Sequence, residues 1–233
     1  MSAALPTEFR GEYNKNAPMN PGAVLAVVAH PTPQSFTAAL LDAALGAIRS
    51  ADDTADTSPA ITIHDLYAEG FNPVLTAEEI RRSFPFDELT QAHVAGLKNS
   101  RLIVVAHPDW WGGPPAILKG WVDRVFRAEV AYEVDRLRGE ARGLLAGHSL
   151  LVLVPTQAPA PEASAADAGG AGNTEGAGGP VHFWSQSVAR YAGMDACRVE
   201  MFYDIRSSTL RTRKKYLERA GTIAKAMFLG EDR

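Results

Sequence analysis

The chain has 233 residues, 46% of them hydrophobic, which is enough to bury the core of one large domain. Its formal net charge of −4 offers no basic field for a phosphate backbone and argues against nucleic acid as a partner, while a single cysteine, Cys197, excludes an intrachain disulfide framework and a multi-cysteine metal centre. No apolar run approaches the roughly 18 to 20 residues that span a bilayer, so no integral membrane segment is expected.

Residues 1–21 carry Glu8, Arg10, Glu12 and Lys15 among prolines and asparagines, without the apolar stretch of a secretory signal. They read as a polar arm ahead of one domain over 22–233, in a protein expected in the cytoplasm. Ala23 to Ala29 is an apolar run of strand length, and Phe36 to Arg49 follows with Leu40, Leu41, Ala44, Leu45 and Ile48 at helical spacing. Ile61 to Leu66 alternates like a strand, and Thr76 with Glu78 and Glu79 opens a short acidic helix. Ala92 to Asn99 is helical in pattern and feeds a strand at Leu102 to Ala106, and Pro115 to Phe126 is the next helix. Leu150 to Val154 is again a strand, Val181 to Ala192 an amphipathic helix, Arg198 to Tyr203 a last strand, and Thr209 to Met227 a basic closing helix. Five strands alternating with helices, each apolar on both faces, predict an α/β fold with a parallel sheet covered on both sides.

Ala158 to Pro180 breaks this pattern, being built almost wholly from Ala, Gly, Pro, Ser, Asp and Asn with no large apolar side chain. Such a stretch buries too little to offset its ordering entropy, and a mobile loop at about 158–180 is expected, either a lid or plain disorder.

Chemistry is expected at the carboxyl ends of the strands, where open α/β sheets bind ligands. After the strand ending at Ala106, the run His107-Pro108-Asp109-Trp110-Trp111-Gly112-Gly113-Pro114-Pro115 places two tryptophans in a stiff turn suited to a planar cofactor, unless both are core aromatics. The loop His30-Pro31-Thr32-Pro33-Gln34-Ser35-Phe36-Thr37 offers an imidazole, hydroxyls and the amides of a first helical turn, a phosphate site if Ser35 is more than an ordinary N-cap. Neither GxGxxG nor GxxxxGK[ST] is present there. His64, His93 and His148 lack paired ligand spacing, and no metal is assigned. Asp123 and Arg127, at i and i+4, are expected to form an ion pair on a solvated or dimer face.

His30-Pro31 with Ser35-Phe36, the segment Asp65-Leu66-Tyr67-Ala68 with Phe71-Asn72-Pro73, and above all Pro108-x-x-Trp111 followed by Pro115 to Phe126 resemble the flavodoxin-fold NAD(P)H:quinone oxidoreductases. That family includes mammalian-type quinone reductases and the ancillary reductase subunits of potassium-efflux systems. The resemblance implies a flavodoxin-like homodimer that holds FAD or FMN and passes two electrons from NAD(P)H to a quinone or related aromatic acceptor by a ping-pong scheme. By resemblance, His30, Ser35, Phe36 and Thr37 fall at flavin phosphate and ribityl groups, and Pro108, Asp109, Trp110, Trp111 and Gly112 at the isoalloxazine. Pro155, Thr156, Gln157 and Ala158 replace a Thr-Thr-Gly-Gly turn whose backbone donors face the flavin, while Glu129 matches an acidic position near the cofactor's far end; Arg213 belongs to a basic run read as a solvated helix face, unless it reaches the adenylate as an arginine near this point does in FAD-binding relatives. The Tyr and His of the mammalian third loop have no counterpart, since His182 is the only histidine between Thr156 and Trp184; it is the candidate catalytic replacement, against a capping or surface role. Two other functions remain open on the sequence: a flavin-binding regulatory subunit of a partner protein, and an enzyme of specialised metabolism acting on one aromatic substrate.

Overall fold

The computed structural model describes residues 19–52, 59–82, 87–135, 138–161 and 179–231. In chain order β1 (Asn20–Val28) leads to α1 (Phe36–Arg49), β2 (Ala60–Asp65) to α2 (Ala77–Arg82) and α3 (Glu88–Asn99), and β3 (Ser100–Ala106) to α4 (Ala116–Val125). A hairpin of β4 (Tyr132–Val134) and β5 (Ala141–Gly143) precedes β6 (Ser149–Pro155), then α5 (Gly179–His182) with a π-helical continuation (Phe183–Arg190), β7 (Ala196–Phe202) and α6 (Leu210–Leu229). The strands β2-β1-β3-β6-β7 form one parallel sheet in that order, the five-stranded flavodoxin-like arrangement expected.

Alternation explains why the inner strands are apolar throughout. In β1, Leu25 and Val27 face one layer while Val24, Ala26 and Val28 face the other; in β3, Ile103 and Val105 oppose Leu102, Val104 and Ala106. One layer is built from α3, α4 and the π-helical segment, through Val94, Leu97, Leu118, Trp121, Trp184 and Val188. The other is built from α1 and α6, through Leu40, Leu41, Leu45, Ala220, Ile223 and Met227. Helix ends follow local chemistry: Ser35, Asp87 and Thr209 accept from the amides of Ala38, Thr90 and Thr212, and Gly230 closes α6 at φ 78°. Thr76 and Glu79 exchange bonds across the start of α2, a capping box.

Several boundaries differ from expectation. β1 starts at Asn20, so the expected polar arm ends earlier, and its remainder over 1–18 lies outside the described residues. The hairpin of β4 and β5 was not foreseen, because three-residue strands are too short to show a period. The expected helix over Val181 to Ala192 starts at Gly179 and is π-wound from Phe183. Residues 162–178, most of the expected mobile loop, lie outside the described residues. Trp121, Val122 and Val125, an apolar stripe of α4 whose pattern suits a dimer face or the core of one chain equally, are buried inside this chain. No helix among the described residues is long and apolar enough to cross a membrane.

The segment after β2 is pressed against α4, where a Cβ on Gly120 would stand 2.2 Å from the Pro73 carbonyl oxygen. Gly120→Ala must therefore push backbone apart, and a loss of about 1–3 kcal/mol in urea unfolding is expected; an unchanged midpoint would show that the loop yields freely.

Candidate functional site

Backbone hydrogen bonds carry the sheet register past the strand ends and gather the loops that follow β1, β3, β6 and β7. Ala29 N–H donates to Ala106 O (3.0 Å), His107 N–H to Leu153 O (3.2 Å), Asp109 N–H to Pro155 O (3.0 Å) and Thr156 N–H to Phe202 O (2.8 Å). The reversal of strand order falls between β1 and β3, so their two loops flank the crevice where such sheets receive ligands.

In the loop after β3, Trp110 and Gly113 exchange backbone bonds of 3.0 and 3.2 Å around Trp111 and Gly112, whose φ values are 58° and 77°. Two consecutive left-handed residues are the signature of a type I′ turn, a place for Asn or Gly, and an indole there is strained. The Trp111 side chain is also fully exposed, at 104% of its reference area, while Trp110 is 43% exposed and lies 6.2 Å from the His30 ring at 55°. Neither tryptophan is a core aromatic.

The base of this loop is held by a residue the sequence reading quoted without a role. His107 is sealed from solvent; its Nε2 accepts the Trp184 indole N–H at 2.8 Å, which leaves Nδ1 to donate to the Pro108 carbonyl at 2.8 Å. Burial pushes its pKa down to about 4, against weaker support for the charged form from Pro108 and Asp109. Asp109 accepts from the Thr156 hydroxyl through Oδ2 at 2.9 Å, while its Oδ1 is buried without a hydrogen-bond partner. A full-faced indole beside an unsatisfied buried acceptor fits a planar group that carries its own N–H donor.

The first loop combines both readings open on the sequence. Ser35 is the N-cap of α1, and His30 Nδ1 accepts from Thr32 N–H at 3.0 Å, so both side chains serve local structure. The amides of Phe36 and Thr37 still begin the helix without intrahelical acceptors, as at every N-terminus, and can face an anion. Arg213 joins this end of the site: its guanidinium lies 5.7 Å from the Phe36 ring and donates to Ser208 Oγ (2.9 Å) and Ile205 O (3.0 Å). The third loop corrects one expectation. Pro155 has no N–H, Thr156 N–H is used by Phe202 and Ala158 N–H by the Thr156 hydroxyl (3.1 Å), so the Gln157 amide is the only backbone donor in Pro155–Ala158 left to face a cofactor. The Gln157 side chain accepts from Arg206 N–H at 2.9 Å. Glu129 and His182 stand apart. Glu129 sits past the far end of α4, about 15 Å along that helix from the tryptophan turn, with φ 66° and its N–H on Tyr132 O, and His182 is exposed at the end of α5.

Two further clusters depart from the sequence reading. Asp123 pairs with Lys119 (2.6 Å), not with Arg127, which is turned inward and only 7% exposed. His64 and His93, far apart in the chain, stack at 3.6 Å and share Glu69 at 2.8 and 3.0 Å. Burial would raise the Glu69 carboxyl, but the bonds from both imidazoles win and hold it at about 2. The donor atoms lie within 4.8 Å of one another, close enough for a metal by distance alone. Geometry argues against an ion there: the rings are 19° from parallel, so their lone pairs do not converge, and the Trp121 indole donates to His93 Nδ1 at 2.8 Å, which makes Nε2 the protonated nitrogen.

A family model described as Flavodoxin-like fold matches residues 23–224. An uncharacterized NAD(P)H oxidoreductase of Haemophilus influenzae is 39% identical over 89 residues, 36% of this chain and 42% of that protein. The ribosyldihydronicotinamide dehydrogenase [quinone] of Pongo abelii is 29% identical over 152 residues, 57% of this chain and 62% of that protein. The chain thus spans less than two thirds of the length of either curated relative. The solved FMN-dependent NADH-azoreductase of Bacillus anthracis, in complex with FMN, superposes with a TM-score of 0.66 at 12% identity, over 88% of this chain and 98% of that one, a likeness of fold.

The buried neutral His107 sets a pH dependence. Its folded pKa of about 4 lies below the ordinary 6.5, so the unfolded chain binds more protons between those values. The stability is full above about pH 6.5 and declines by up to ~3 kcal/mol as pH falls toward 4. Denaturant unfolding at pH 7 and pH 5.5, above the ordinary value of 4.5 from which Glu69 is lowered, is expected to show a smaller loss in His107→Gln than in the parent; equal losses would remove His107 as a cause.

Proposed function

The chain belongs to the flavodoxin-like fold family, and on that premise we propose that it is a flavin-dependent NAD(P)H oxidoreductase reducing quinones or related aromatic acceptors. Trp111 carries this reading: a large aromatic surface is held fully exposed, on strained backbone, at the carboxyl edge of the sheet beside the strand-order reversal. The names of the two relatives support a nicotinamide reductant and, for one, a quinone acceptor; the azoreductase supports a flavin with this fold.

When bound, FMN or FAD supplies two-electron hydride chemistry between nicotinamide and acceptor. This chain's residues bind and orient. Trp110 and Trp111 form one wall of a slot, narrowing it so that stacked rings displace water. The Phe36 and Thr37 amides, at the positive end of α1, meet a phosphate, with Arg213 alongside Phe36 to extend that contact. Asp109 Oδ1 accepts a ring N–H, and the Thr156 hydroxyl keeps the carboxylate in position. His107 acts through the loop, fixing the Pro108 carbonyl and with it the start of the turn. His182 has no partner among the described residues that would aim it at this slot, and no proton transfer is assigned to it. Reductant and acceptor would use the same face in turn, a ping-pong order. A homodimer and a cytoplasmic location complete the proposal; the dimer would use surface other than Trp121, Val122 and Val125, which are core.

Purified protein is expected to be yellow, with visible flavin absorbance that bleaches on adding NADH or NADPH; protein that stays colourless after incubation with FMN and FAD would sink the reading. Trp111→Asn separates strain from stacking. Asn tolerates the left-handed turn, so the cofactor-free variant should gain up to ~1 kcal/mol, while flavin dissociates about tenfold more readily for want of the indole. Unchanged flavin affinity would remove Trp111 from the site.

A further inference from the structure

The loop after β7 and the first turns of α6 concentrate positive charge. From Asp204 to Lys215 the chain carries five cations against one carboxylate, a net charge of +4 in a protein whose total is −4. Arg213 is turned inward, onto Ser208, Ile205 and the Phe36 ring. Arg206, Arg211, Lys214 and Lys215 are exposed, and none of the four is paired with a carboxylate among the described residues. Further along α6 the charges balance, with Arg219 on Glu200 and Glu218 offsetting Lys225.

Folding does not call for this arrangement. The first turn of a helix is its positive end, where carboxylates stabilise and cations oppose the backbone dipole, yet the first turn of α6 holds no acidic residue. Arg211 and Lys215 are moreover like charges at i and i+4, which repel. An apolar side chain stands among these cations: Leu210, the first residue of α6, is 86% exposed. Among the large apolar side chains of the described residues only Trp111 is more exposed. The two share the carboxyl edge of the sheet. Arg213 reaches the Phe36 ring at 5.7 Å, and the loop before Phe36 leads back to His30, whose ring lies 6.2 Å from that of Trp110.

We propose that this edge docks on an anionic lipid bilayer, with Leu210 entering the interface and Arg206, Arg211, Lys214 and Lys215 on the headgroups. Clustered cations around a projecting apolar residue are what such a surface attracts and holds. A polyanion such as nucleic acid would meet the cations and leave Leu210 in water; a bilayer engages both. The acidic remainder of the chain is repelled by the same headgroups, so charge asymmetry sets the orientation as well as the attraction. The tryptophan turn then faces the bilayer, where apolar aromatic acceptors dissolve. That last consequence rests on the flavin reading, whereas the docking surface stands without it.

The test is co-sedimentation of the full chain with lipid vesicles. Binding is expected at low ionic strength to phosphatidylcholine vesicles containing about a third phosphatidylglycerol, to fall as salt is raised, and to be absent with phosphatidylcholine alone. The double variant Lys214→Ser and Lys215→Ser should bind about 10- to 30-fold more weakly, and Leu210→Ser about 3- to 10-fold more weakly. Both should take up flavin as the parent does, which separates this surface from the slot, and the double variant should melt no lower, because it removes cations that oppose the helix dipole. The proposal is overturned by no binding to the anionic vesicles, by equal binding to neutral ones, by unchanged binding in either variant, or by a short DNA duplex that binds as tightly as the vesicles.

Discussion

Burial of β3 on both faces is the constraint from which the rest follows. Leu102 to Ala106 are all inaccessible, and a slip of one residue would exchange every side chain between the two helical layers. Its pairing with β1 and with β6 is thereby pinned: Ala106 stands opposite Val28 and Leu153. The loops leaving these strands must then emerge side by side. The tryptophan turn, the start of α1 and the Pro155–Ala158 stretch meet because a hydrophobic register brings them together.

Polar groups buried beneath this edge are handled by one recurring device. Two tryptophans, Trp121 and Trp184, each donate an indole N–H to a buried imidazole, His93 and His107. An indole can only donate, so it fixes which ring nitrogen carries the proton, and the remaining N–H is aimed at a chosen acceptor. For His93 the acceptor is Glu69, which ties the segment after β2 to α3; for His107 it is Pro108, which sets the origin of the exposed turn. Both histidines are held neutral by burial, His93 despite its bond to Glu69. Each pair turns a polar requirement of the core into an orientation of backbone.

Against this well-satisfied background the exceptions stand out. Trp111 occupies a backbone conformation suited to Asn or Gly and leaves its indole in water, and among the described residues Asp109 Oδ1, His64 Nε2, Thr90 Oγ1 and the Nε and Nη1 of Arg127 are buried without a hydrogen-bond partner. Sequences that fold well are locally consistent, so departures of this kind concentrate where something other than folding is being served. Trp111 and Asp109 share the crevice proposed for the flavin, beside the reversal of strand order.

The amino-acid sequence determined the alternation of strands and helices, the caps at Ser35, Thr76 and Thr209, and the unusual turn from Pro108 to Gly113, because these depend on neighbours within a few residues. The run from Pro108 to Phe126 was also enough to indicate the family. Tertiary structure alone decided that Trp121, Val122 and Val125 are core, that Asp123 takes Lys119 and not Arg127, and that the third loop commits the Thr156 amide to Phe202 on β7 and the Ala158 amide to the Thr156 hydroxyl. It also decided the partners of His107, His93 and His64, up to 77 residues away in the chain. Periodicity reports which face of an element is apolar. Which polar atom meets which depends on how the layers dock, and a one-dimensional pattern does not contain that distance.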